Sequence, residues 1–145
     1  MGLSYNIYLT SNKIFGCKTC KTHLADYHDI ISRNFRGQHG KAYLFNNVVN
    51  ITQAEAVERS MTTGRHVVRD IMCRQCKEIV GWKYDKAYEI TEKYKEGKFI
   101  LEAELLSELH SNLEHNIIGY GEKGCWIGFG LIFFVSFLVL SIFLF

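Results

Sequence analysis

Two Cys-x-x-Cys pairs, Cys17-Lys18-Thr19-Cys20 and Cys73-Arg74-Gln75-Cys76, constrain this chain more than any other feature. The spacing lets a tight turn aim both sulfurs at one ion about 2.3 Å away, and two such turns complete a tetrahedron. Soft sulfur donors in that number select zinc, with iron as the competitor. The alternatives are a redox pair or two disulfides. A redox pair sits after a strand at a helix start, and two copies would be odd. Cytosolic chemistry disfavours disulfides. Four thiolates close the coordination shell and leave no position for water, so one structural Zn2+ is expected at Cys17, Cys20, Cys73 and Cys76.

The 52 residues between Cys20 and Cys73 explain why such a chain needs the ion. Closing a long loop costs entropy that grows slowly with length, and structural zinc contributes on the order of 10 kcal/mol to folding. Lys18, Lys21, Arg74 and Lys77 flank the sulfurs and soften the tetrathiolate charge. The 145 residues fit one ordinary domain with appendages, and the formal charge of +2 gives no general attraction for nucleic acid.

No catalytic set emerges. A zinc deaminase needs a His-x-Glu and a proline before its second pair, and this chain has no proline. His23, His28, His39 and His66 lack a carboxylate or nucleophile at a diagnostic spacing. Cys125 borders an apolar tail, where palmitoylation or an idle thiol suits it better than catalysis.

That tail is free of charge from Trp126 to Phe145, and its twenty residues would span roughly 30 Å as a helix. A single-pass C-terminal anchor is expected over 126–145, with the domain on the cytosolic side. An alternative final exon would read the same way. Met1 to Asn12 holds no signal peptide, and Asn6 stands where a myristoylation motif wants Ser or Thr.

Elsewhere the pattern is mostly strand. Tyr5–Leu9, Ala42–Val49, Arg65–Met72, Ile79–Tyr84 and Lys98–Leu101 alternate or are rich in β-branched and aromatic residues. Gly37-Gln38-His39-Gly40 and Thr62-Thr63-Gly64 read as turns. A mainly antiparallel sheet follows. Leu101, Leu105, Leu109 and Leu113 recur every four residues among glutamates, which predicts an amphipathic helix, and Asn116–Gly124 reads as a hinge. The organisation is therefore an N-terminal strand or extension over 1–12, a zinc domain over 13–104, a helix and hinge over 105–125, and the hydrophobic helix over 126–145.

Several blocks in one register carry a resemblance. Phe15-Gly16-Cys17-x-x-Cys20, Arg36-Gly37-x-x-Gly40, Ala42-Tyr43-Leu44-Phe45-Asn46 and Thr63-Gly64-Arg65-His66 resemble the Yippee family. So do Asp70-Ile71-x-Cys73-x-x-Cys76, Gly81-Trp82-Lys83-Tyr84 and Lys93-Tyr94-Lys95-Glu96-Gly97-Lys98-Phe99-Ile100. The resemblance implies a zinc-pinned β-tent of two antiparallel sheets with the four cysteines as ligands. It implies a non-enzymatic role, nuclear or cytoplasmic, in protein interaction, with some members associated with a ubiquitin ligase of the LisH–CTLH type.

The β-tent is also similar to the ligand-binding domain of cereblon. Trp82 matches one of that domain's three cage tryptophans, while His66, Val67 and Val68 precede Cys73 in place of the others. Tyr84 and Phe35 are candidates for a different cleft. Two further readings are recognition of small ligands or RNA ends, and methionine sulfoxide reduction. The last needs a catalytic cysteine within the sheet, and Cys125 lies beyond the domain.

Overall fold

A computed structural model describes residues 5–110. Ten strands follow one another: β1 (Lys13–Cys17), β2 (His23–Asp26), β3 (Ile30–Gly37), β4 (Gly40–Phe45), β5 (Ile51–Gln53), β6 (Val57–Met61), β7 (Gly64–Cys73), β8 (Ile79–Ala87), β9 (Phe99–Glu102) and β10 (Leu106–His110). Short 3-10 turns cover Tyr27–Asp29, Ile90–Lys95 and Ala103–Leu105. The strands form two antiparallel sheets. One has the order β10-β1-β2; the other runs β3-β4-β9-β8-β7-β5, with β6 also paired to β7.

The larger sheet is apolar on both faces, and period two shows how. On β4, Ala42 and Leu44 face one side while Phe45 faces the other; on β9, Ile100 and Leu101 divide in the same way. One face joins Phe15, Leu24, Ala25 and Val48 around the buried Cys17 and Cys73. The opposite face joins Val68 and Tyr84, with Phe35, Met61 and Trp82 at its margin. The two expected glycine turns close the β3–β4 and β6–β7 hairpins, with Gly40 at φ +104° and Gly64 at φ +114°.

Three expectations are corrected. The amphipathic helix is absent from the described part of its range: the chain passes from β9 through a 3-10 turn into β10, which pairs along the whole of β1. The leucine period arose from separate contacts. Leu101 is in the core, whereas a Leu109 methyl carbon occupies the space beside Gly16, 2.6 Å from where a Cβ would stand. Pairing satisfies the backbone of β1, and a ten-residue helix is marginal without a partner. The rest of the expected helix and hinge lies outside the described residues.

Tyr5–Leu9 is not a strand of either sheet. The membrane assignment is withdrawn as well. Among the described residues no helix is long and apolar enough to cross a membrane, and the anchor expected over 126–145 lies outside them.

Candidate metal centre and adjoining cleft

The two cysteine pairs sit in copies of one turn. After β1, the N–H of Lys21 donates to the carbonyl of Cys17 at 2.8 Å, and the N–H of Cys17 donates to that of Thr22 at 2.9 Å. After β7, Lys77 donates to Cys73 and Cys73 to Glu78, both at 2.9 Å. Each turn closes with a left-handed residue, Lys21 at φ +61° and Lys77 at φ +65°. Each is also tied to a segment distant in sequence, because the Lys18 N–H donates to the Leu105 carbonyl at 3.1 Å and the Arg74 N–H to the Asn50 carbonyl at 2.9 Å. The sulfurs are thereby placed by backbone geometry.

The four sulfurs converge. Cys17 Sγ lies 3.5 Å from Cys76 Sγ, Cys20 Sγ lies 3.5 Å from Cys73 Sγ, and all four are within 4.8 Å of one another. Zn–S bonds near 2.3 Å in a tetrahedron put sulfurs about 3.8 Å apart, inside that range. The electrostatics also call for a cation. Burial disfavours a thiolate at Cys20, but the Thr22 hydroxyl and N–H and the neighbouring thiols outweigh it and bring its pKa down to about 6. Burial pushes Cys76 up to about 12, with its three sulfur neighbours adding to the rise. Burial also raises Cys17. Without a divalent ion the cluster cannot carry four thiolates; with one, it is a closed tetrathiolate.

On the other face of the larger sheet, Phe35, Trp82 and Tyr84 line a cleft of about 930 Å³ with Met61, Glu92 and Lys95. The sequence alone assigns Phe35 and Tyr84 to a cleft different from the cage that Trp82 matches; the fold brings all three to one. His66 is not in the lining: it is fully buried, with its ring 5.2 Å from Tyr84 and its Nδ1 3.1 Å from the carbonyl of Gly64.

Lys95 is the residue that sequence reasoning missed. It is only 3% exposed, and its ammonium pairs with Glu92 at 2.5 Å and donates to Thr63 Oγ1 at 3.1 Å. The same nitrogen stands 5.3 Å from the Phe35 ring and 5.5 Å from that of Tyr84. Its setting, Lys93-Tyr94-Lys95-Glu96, looks like any solvated stretch, so no local signal marks it. Burial raises the Tyr84 phenol, while the Lys95 charge pulls the other way.

Two antiparallel sheets joined by paired cysteine turns define a zinc-binding domain whose metal is structural. A family model described as Yippee zinc-binding/DNA-binding/Mis18, centromere assembly matches residues 13–117, and the chain belongs to this Yippee-Mis18 family. It is 56% identical over 89 residues to a yippee-like protein of Arabidopsis thaliana, covering 61% of this chain and 70% of that one. It is 48% identical over 100 residues to protein yippee-like 3 of Danio rerio, covering 68% and 84%. The crystal structure of the Mis18 Yippee-like domain shares the fold, with a TM-score of 0.55 at 17% identity over 68% of this chain and 95% of that one. Zinc binding through Cys17, Cys20, Cys73 and Cys76 is thus supported by both family and geometry.

Proposed function

We propose that this chain is a non-enzymatic protein-interaction module that works as a subunit or adaptor of a ubiquitin ligase of the LisH–CTLH type. The observation that carries an interaction role is the exposure of two large apolar side chains on the 3-10 turn Ile90–Lys95, which also supplies cleft residues. Ile90 is 86% exposed, and the exposed Tyr94 both lines the cleft and flanks Lys95. Large exposed apolar side chains on one short turn are candidate anchors of a protein contact. The resemblance to the Yippee family supports the choice of partner. Affinity purification of the full chain should recover ligase subunits, and Ile90→Asp with Tyr94→Asp should lose them while zinc content stays the same. Equal recovery by both chains would remove this surface from the reading. Recovery of other proteins alone would remove the ligase.

A second reading, in which the cleft takes a small ligand, is favoured by its aromatic lining of Phe35, Trp82 and Tyr84. Binding there should quench or shift indole fluorescence in the full chain and in Trp126→Phe but not in Trp82→Phe. A signal that survives Trp82→Phe would place the ligand elsewhere.

A further inference from the structure

Residues 5–9 are held at alternate positions along one edge. The Arg74 guanidinium donates to the carbonyl of Tyr5 at 3.2 Å. The N–H of Ile7 donates to Asn50 Oδ1 at 2.7 Å, and the carbonyl of Ile7 accepts from Asn50 Nδ2 at 2.7 Å. The N–H of Leu9 donates to His23 Nδ1 at 3.0 Å. A spacing of two residues is how the edge of an extended strand presents its polar groups. Side-chain amide, imidazole and guanidinium groups here replace the neighbouring strand.

The side chains of this arm contribute much less. Tyr5, Ile7 and Tyr8 are 82%, 52% and 73% exposed. Asn6 reaches Gln75 Oε1 at 3.4 Å, and the Tyr8 ring meets the His23 ring edge to face at 5.5 Å. A segment ordered by the hydrophobic core would turn its apolar residues inward. Here Tyr5, Ile7 and Tyr8 face out, and of the apolar residues only Leu9 is half-buried.

The receiving groove, by contrast, is built into the domain. Asn50 is 2% exposed and sits in the left-handed region at φ +56°. Its Nδ2 also donates to the carbonyl of His23 at 2.7 Å, and its own carbonyl accepts the Arg74 N–H at 2.9 Å. Asn50, His23 and Arg74 lie within residues 13–117, the stretch matched by the family model, whereas the arm precedes it. None of the three lines the aromatic cleft.

We infer that this groove is a docking site for an extended main-chain segment of a partner protein, and that residues 5–9 occupy it as an internal competitor. The recognised groups are backbone N–H and carbonyl groups, so the partner is defined by extended conformation more than by side-chain sequence. A tethered arm competes at an effective concentration of about millimolar, which hides the groove from weak ligands and yields it to strong ones. The inference is independent of the ligase reading.

The test uses the full chain and a fluorescent peptide of residues 5–12. Ile7→Pro removes the donated N–H of the arm without touching the groove. The peptide should bind the Ile7→Pro chain about tenfold or more tightly than the unsubstituted chain. A peptide N-methylated at Ile7 should lose that binding, and one N-methylated at Tyr8, whose N–H the groove does not use, should keep it. Equal affinity for both chains, no binding to either, or equal loss on both methylations would overturn the inference. So would loss of zinc or of cooperative melting in Ile7→Pro, because the arm would then be part of the fold. Conversion of a dimer to a monomer by Ile7→Pro would identify a second copy as the occupant and end the partner reading.

Discussion

A Cβ placed on Gly81 would stand 1.8 Å from the carbonyl oxygen of Ile100. Gly81 in β8 pairs with Ile71 of β7 on one side and Leu101 of β9 on the other, so it sits in the middle of the larger sheet. The obstacle is backbone, which cannot swing aside as a side chain can. Gly81→Ala is predicted to destabilise the domain by about 3 kcal/mol or more, at the upper end for overpacking. A denaturant midpoint unchanged by Gly81→Ala would show that the β8–β9 approach is looser than described.

The metal should decide whether the domain folds. Structural zinc contributes on the order of 10 kcal/mol, as much as a small domain's whole stability. Stringent chelation, or Cys73→Ser, is predicted to abolish the cooperative melting transition. Elemental analysis alongside calorimetry checks it, and a metal-free chain that melted unchanged would exclude a structural ion.

Zinc affinity should fall as the pH falls. At pH 7 Cys20, near 6, is largely ionised, while Cys17 is raised and Cys76 stands near 12, so both of these hold protons that the ion must displace. At least about two protons leave on binding, which makes affinity drop roughly a hundredfold per pH unit. Below pH 6 the protonation of Cys20 steepens the loss further. Competition against a chelating dye from pH 8 to pH 5.5 measures the slope, and a flat profile would contradict it.

Lys95 and Glu92 should behave as a unit. Lys95→Met leaves the Glu92 carboxylate without its partner in a largely enclosed site, and breaking such a pair costs about 3–5 kcal/mol. Adding Glu92→Gln should recover a large part of that loss. A double-mutant cycle in urea reads the coupling, and additive effects would mean that the two charges act separately.

The carboxylate of Glu102 holds the β3–β4 turn. It accepts the N–H groups of Gln38 at 3.3 Å and His39 at 2.9 Å, and one of its oxygens lies 2.6 Å from the His39 ring nitrogen. Glu102→Gln is predicted to cost about 1–3 kcal/mol, since a charged acceptor of several donors becomes a neutral one. Thermal melting compared with His39→Ala separates the shares of backbone and ring. No change in either variant would show that the turn stands on its glycines alone.

Local chemistry was enough to read the metal site and the two glycine turns, because both depend on residues a few positions apart. Two residues between cysteines suit one turn, and Gly40 and Gly64 occupy backbone conformations that a Cβ disfavours. The strands at Gly64–Cys73, Ile79–Ala87 and Phe99–Glu102 were legible for the same reason, since a run of apolar and β-branched residues declares itself locally. What a residue meets across the fold was not written in its neighbours. Leu106–His110 became a strand because β1 offered an unpaired edge, Lys95 was buried against the Phe35 and Tyr84 rings of two distant strands, and Asn50 came to hold Ile7 from 43 positions away. Spacing along the chain determined the ligands; only contact between distant segments decided which edges, charges and amides they would meet.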